Sequence, residues 1–287
     1  MSTPPTSDLS ALRIIGVDVA TQPKSVGLAL CSYQHRELQL EKIAAHKSWP
    51  AIDEQLSEWL KDPSTASTDS STPTTRLPTP QTHPRPTLLA LDAPLGWPAQ
   101  LADTLHAHRA GDPVPPVANE LFRRRTDDVV AAALGKRPLD VGADRIARTA
   151  HTALHLLARL RAAHHIEAPL AWTPGRVSST SAIEVYPAGT LASRNLPSSG
   201  YKGASATAVA IRQDIIRGMR KELAFPNDAV DLMISSDHLL DAVLCCIAAR
   251  DFVDARVIQP GSQDPATREG WIWVAPRAGT ALQQTPR

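Results

Sequence analysis

Thr87-Leu88-Leu89-Ala90-Leu91-Asp92 is an apolar run closed by an acid, and its placement decides the fold. It reads as a buried strand. Upstream, Arg13-Ile14-Ile15-Gly16-Val17-Asp18 has the same form. Ser25 to Ser32 (SVGLALCS) reads as a second strand, and Glu37 to Ala44 (ELQLEKIA) alternates polar and apolar like a third. The gaps among these three are short, which makes an antiparallel meander the economical arrangement. Ile52, Leu56, Trp59 and Leu60 recur at helical spacing, so about 50–61 is an amphipathic helix, stopped by Pro63. Between Ser64 and Thr87, 17 of 24 residues are Ser, Thr or Pro, too little apolar surface for the stretch to order itself. Residues 62–87 are therefore expected to form a disordered surface loop. A meander with one helix is an incomplete sheet, and the run at 87–92 completes it. Both sides of the loop then belong to one domain, expected over 12–276 between tails at 1–11 and 277–287.

Downstream, residues 95–181 read as a mostly helical insertion whose best helix is 143–163. Ala182 to Tyr186 (AIEVY) is a fifth strand, stopped by Pro187. A helix is expected over 204–224. Ser236 is a plausible N-cap for 237–250, DHLLDAVLCCIAAR, the most apolar helix in the chain. Gly270 to Val274 looks like a last short strand.

The 287 residues balance 30 Lys and Arg against 29 Asp and Glu, a net charge of +1 that excludes a globally cationic nucleic-acid coat. A local basic groove remains compatible with it. No apolar run approaches the ~18 residues needed to span a membrane, so no membrane association is expected. The first dozen residues lack the basic and apolar regions of a secretory signal. The three cysteines, Cys31, Cys245 and Cys246, make a poor disulfide framework, and no Cys-x-x-Cys pair suggests structural zinc. A cytoplasmic location is the expectation. The chain has no Gly-x4-Gly-Lys-Ser/Thr loop and no Gly-x-Gly-x-x-Gly, so neither a P-loop nor a Rossmann site is indicated. His151 and His155 have an i, i+4 metal spacing but no third ligand nearby.

Three strands, a helix, a fourth strand ending in an acid, then a fifth strand and a late acid-bearing helix is the layout of the ribonuclease H-like fold. The expected class is α/β, a mixed five-stranded sheet flanked by helices, with the insertion between strands 4 and 5. In that layout Asp18, Asp92 and Asp241 converge at one edge of the sheet. Asp237 and Asp241 are i and i+4, so both carboxylates face the same way. Clustered carboxylates repel and raise one another's pKa unless a cation neutralises them. Mg²⁺ or Mn²⁺ is the expected occupant, because Mg²⁺ is bound through a few carboxylates plus substrate phosphate oxygens. Such ions activate water and stabilise the leaving oxygen in phosphodiester hydrolysis. An Asp ending a strand also serves as a turn former, and Asp237 suits a helix N-terminus. Asp241 is the sharpest signal, since a charge inside an apolar helix is costly without a partner.

Seven short motifs occur in order: Ile15-Gly-Val-Asp18, Leu91-Asp92-Ala-Pro-Leu-Gly96, Phe122-Arg-Arg-Arg-Thr-Asp127, Ile183-Glu-Val-Tyr-Pro-Ala188, Tyr201-Lys202-Gly203, Ser236-Asp237-x3-Asp241-Ala242 and Glu269-Gly-Trp-Ile-Trp-Val274. Together they make the chain, from about residue 13 to 276, similar to the DUF429 family, described as predicted nucleases of the ribonuclease H-like superfamily. The resemblance implies an active-site cluster of Asp18, Asp92, Glu184 and Asp241. It also points to Arg124, Arg125 and Asp127 as groups that either hold a phosphate or brace one another, and to Tyr201 and Lys202 as groups that lean over a substrate. The expected activity is divalent-metal-dependent hydrolysis of nucleic acid, with Asp18, Asp92, Asp237 and Asp241 as candidate metal ligands. Two alternatives stay open. One is an ATP-dependent phosphotransferase of the actin or sugar-kinase type, although its glycine-rich motifs are missing. The other is a non-catalytic binding protein on the same fold.

Overall fold

In the computed structural model, residues 11–61, 85–142, 144–261 and 265–279 are described. The first three strands, β1 (Leu12–Asp18), β2 (Gly27–Gln34) and β3 (Glu37–Ala45), form the antiparallel meander. Helix α1 (Trp49–Leu60) follows, and β4 (Thr87–Asp92) returns to pair in parallel with β1. The insertion holds α2 (Ala99–Leu105), α3 (Ala118–Phe122), α4 (Arg125–Leu134) and α5 (Asp144–His164). Strand β5 (Ser181–Glu184) pairs in parallel with β4 and leads into α6 (Pro187–Ser193). The chain continues through α7 (Ala206–Met219), α8 (Asn227–Ser235), α9 (Asp237–Val253) and α10 (Ala266–Glu269). The strand order is β3-β2-β1-β4-β5, a mixed α/β sheet consistent with a ribonuclease H-like fold.

Strand alternation divides the apolar residues between two layers. Ile14, Ala29, Cys31, Leu88 and Ala90 face α9 and its neighbours, whereas Ile15, Val17, Leu28, Leu89 and Leu91 face α1 and α5. Helix α9 is buried on every side, with fourteen of its seventeen residues inside. That accounts for its uniformly apolar sequence. On the other face, Arg159 of α5 forms a two-bond ion pair with Asp53 of α1, both bonds 2.9 Å. All three cysteines are buried and unbridged.

The structure departs from expectation at four places. Residues 1–10, 62–84 and 280–287 of the expected tails and loop lie outside the described residues. Described residues of the expected loop and C-terminal tail are held. Thr87 opens β4, and the amide of Ala278 donates to the Ser193 carbonyl at 2.7 Å. The helix expected over 204–224 stops at Met219, because the following chain pairs with the free edge of β3 through Leu40 N–H to Ala224 O and Ala224 N–H to Leu38 O. The strand expected at 270–274 reduces to a single bridge between Ile272 and Glu184. Its partner β5 ends at Glu184, where Tyr186-Pro187 turns into α6, so no longer ladder can form. No single helix among the described residues is long and apolar enough to cross a membrane.

Candidate metal centre

Parallel pairing sets Asp18 directly opposite Asp92 at the ends of β1 and β4. Both acids share the parity of Ile14 and Leu88, so they face α9. Two glycines let that helix come close. A Cβ built on Gly16 would lie 2.1 Å from the carbonyl oxygen of Ala242, and one on Gly27 would lie 2.0 Å from that of His238. The backbone of α9 therefore rests on the sheet, and Asp241, fully buried, comes down beside the strand ends. One carboxylate oxygen each from Asp18, Asp92 and Asp241 lies within 4.8 Å of the other two.

Burial and mutual repulsion make this cluster expensive when fully ionised. Burial raises the Asp18 pKa, against a lowering hydrogen bond from His238. Burial, then the charges of Asp18 and Asp241, pushes Asp92 well above the usual carboxylate range. Burial lifts Asp241 to about 6, opposed by Lys202 and assisted by Asp18. Neighbouring polar groups hold the acids in place. His238 Nδ1 is 2.7 Å from Asp18 Oδ2, and the Tyr201 hydroxyl donates to Asp241 Oδ1 at 2.8 Å. Lys202 Nζ stands 2.7 Å from Asp241 Oδ2, with 58% of its side chain exposed. Desolvation opposes the charge on Lys202, but Asp241, Asp92 and Asp18 outweigh it and raise its pKa. Asp241 Oδ2 is buried without a hydrogen-bond partner of proper geometry despite that ion pair. An under-satisfied buried oxygen among three carboxylates fits a hard divalent cation, which takes oxygen ligands.

The other residues implicated by the sequence take different places. Asp237 turns from the cluster and accepts the amide of Gly203 at 3.0 Å, fixing the loop that carries Lys202. Glu184 does not join the triad. It pairs with Leu91 rather than Asp92, and Leu91 faces the α1/α5 layer, so Glu184 projects to that side too. A one-residue offset reverses the face. There Glu184 takes two hydrogen bonds from Arg124, at 2.8 and 2.7 Å, and one from the Leu95 amide at 2.9 Å. Its pKa is raised by burial, in opposition to Arg124.

Arg124 and Asp127 are buried in the same knot rather than open to a phosphate. Arg124 also binds Asp127 at 2.9 Å and the Glu269 carbonyl at 3.2 Å. Asp127 in turn caps α4 by accepting the Arg124 amide at 2.9 Å. The carboxylate of Glu269 accepts the amides of Ala99 and Arg125, at 2.8 and 2.7 Å, and Thr126 Oγ1 accepts that of Ile272 at 2.9 Å. Four of the sequence motifs thus contribute to one polar staple joining α2, α4, β5 and the C-terminal segment. Of Arg124, Arg125 and Asp127, only Arg125 is exposed. Tyr201 is buried against Asp241, leaving Lys202 as the solvent-facing cation of its motif.

His238 was not singled out by the sequence reading, although it sits three residues before Asp241, where side chains share a helix face. Its pKa is raised by the hydrogen bond to Asp18, which burial opposes. No curated protein and no solved structure matches the chain. A family model, described as a protein of unknown function, does match, over residues 16–265, and that span takes in the triad, the Lys202 loop and the staple apart from its C-terminal members Glu269 and Ile272. The chain belongs to the DUF429 family.

Proposed function

We propose that this protein is a divalent-metal-dependent phosphodiesterase acting on nucleic acid. The observation that carries the proposal is the convergence of three carboxylates, from β1, β4 and α9, within 4.8 Å. Asp18, Asp92 and Asp241 would hold Mg²⁺ or Mn²⁺. When bound, such an ion generates a water-derived nucleophile near neutral pH and neutralises phosphoryl charge. The chain's own groups supply orientation. Tyr201 fixes one oxygen of Asp241, His238 fixes one of Asp18, and strand register fixes Asp92. Lys202, on the solvent side of the cluster, is placed to exchange its contact with Asp241 for one with a substrate phosphate. Arg124, Glu184 and Asp127 act on this site only by holding the surrounding elements.

The test is a nuclease assay with Mg²⁺ or Mn²⁺ over single-stranded, duplex, hybrid and branched substrates. Asp18→Asn and Asp241→Asn abolish cleavage with little loss of melting temperature. Cleavage that survives both substitutions refutes the metal cluster. The Lys202–Asp241 contact favours a second reading, in which the ammonium is a permanent counter-ion and the site binds without cutting. Calorimetry separates the two: the first requires Mn²⁺ to bind the resting protein, and the second forbids it.

A further inference from the structure

A groove of about 920 Å³ opens at the pole of the sheet opposite the triad. Its place follows from the register. Asp18 pairs with Gly27 at one end of β1, and Leu12 pairs with Tyr33 at the other, beside the His35-Arg36 hairpin that borders the groove. Along α9, Arg250, which lines the groove, lies nine positions after Asp241; at 1.5 Å per residue that is about 14 Å.

The groove holds more positive charge than its own acids neutralise. Arg194, Arg250 and Arg256 share Glu222, Asp251 and Asp254 in one network, with Arg194 to Asp251 at 2.6 Å and Arg256 to Asp254 at 2.8 Å. These six groups balance. Arg36, Arg220 and Lys221 have no carboxylate partner among the described residues, and Arg277 reaches only the carbonyl of Leu134. Glu37 is the single acid left to oppose them. Helices α6, α7 and α9 all end here, and their C-termini contribute roughly −0.5 each. A surplus between one and two positive charges remains. Arg250, only 8% exposed, keeps a buried Nε with no hydrogen-bond acceptor. Arg36 is held by a two-residue hairpin in which His35 and Arg36 have φ of 52° and 67°, left-handed although neither is glycine. That conformation is strained for a residue with a Cβ, and the hairpin sets Arg36 at the rim.

We propose that this groove is a second binding site, for a small phosphate-bearing ligand of mononucleotide size. Arginine forks match phosphate oxygens in pairs, and the volume lies in the ~300–1,000 Å³ range of small-molecule pockets. The proposal is independent of the carboxylate site. The test is calorimetry on the full chain in EDTA, which removes any metal-borne nucleotide binding. The probes are ADP, inorganic phosphate and a ten-nucleotide single-stranded DNA. ADP is expected to bind once per chain and phosphate more weakly. The double variant Arg36→Gln/Lys221→Gln, at two exposed positions, lowers ADP affinity at least tenfold, and Arg36→Lys/Lys221→Arg retains it. Asp18→Asn, at the other pole, leaves it unchanged. The proposal is overturned by absence of ADP binding, by equal binding to the double Gln variant, or by binding of the DNA alone, which would make the groove a nucleic-acid surface.

Discussion

Gly16→Ala tests whether the approach of α9 to the sheet is what assembles the carboxylate cluster. By local propensity the change is favourable, since alanine restricts the unfolded chain and stabilises compatible sites by about 0.4–1 kcal/mol. The tertiary structure reverses that sign. The new methyl would meet the carbonyl oxygen of Ala242 at 2.1 Å, Cys246 Sγ at 2.8 Å and Cys245 Cβ at 3.1 Å. Carbon and carbonyl oxygen pack no closer than about 3.3 Å, so β1 and α9 must separate by about 1.2 Å. The first obstacle is helix backbone, which has no rotamer to yield. Overpacking costs typically 1–3 kcal/mol, and this site belongs at the upper end, about 3 kcal/mol. In a domain of this size, that lowers the melting temperature by about 6–12 °C. Ala242 adjoins Asp241, so the shift also carries that carboxylate from Asp18 and Asp92. Binding sites tolerate about 0.5 Å of misplacement, and Mn²⁺ affinity is expected to fall at least tenfold. Urea unfolding followed by circular dichroism measures the first effect, and calorimetry the second. An unfolding midpoint equal to or above that of the unsubstituted protein would refute the close-approach argument.

The pH dependence of the metal-free protein follows from Asp241. Its pKa rises from the ordinary 3.8 to about 6 on folding, so the folded state holds the proton more tightly. The contribution is therefore greatest below about pH 4 and is lost as pH rises to about 6, by about 3 kcal/mol at roughly 1.4 kcal/mol per pH unit. Melts of the protein and of Asp241→Asn across pH 4–7 should diverge by that amount, and an identical slope in the two would refute the assignment. Arg124→Met strands Glu184 and Asp127 as buried, uncompensated acids, and breaking such a pair costs about 3–5 kcal/mol. Urea denaturation reads this directly; a loss under about 1 kcal/mol would show that the staple is not what holds α4 to β5.

Asp18 and Asp92 were legible as chemistry because each closes an apolar run, and Asp241 because it interrupts one. The near-uniform burial of α9 is the physical basis of that last signal, since a carboxylate persists there only with partners. Glu184 was not legible. Strand β5 is covered on both faces, so it reads as apolar without alternation, and its sequence does not say which way Glu184 points. The register with β4 answers that, one residue out of phase with Asp92. The arginine run at 123–125 was equally ambiguous. A buried guanidinium and a phosphate-binding one present the same letter, and only the contacts with Glu184 and Asp127 separate them.

Read alone, the sequence was enough to place the strands and helices along the chain, to find the elements carrying the three aspartates, and to assign the residues on both sides of 62–84 to one sheet. Each of these is a local or near-local pattern of burial. The tertiary structure alone decided which acids meet, how Tyr201, Lys202 and His238 surround them, and that residues as distant as Arg36 and Arg277 border one groove. Those facts depend on register and on the closeness of α9, and both are set by pairing between segments rather than within them.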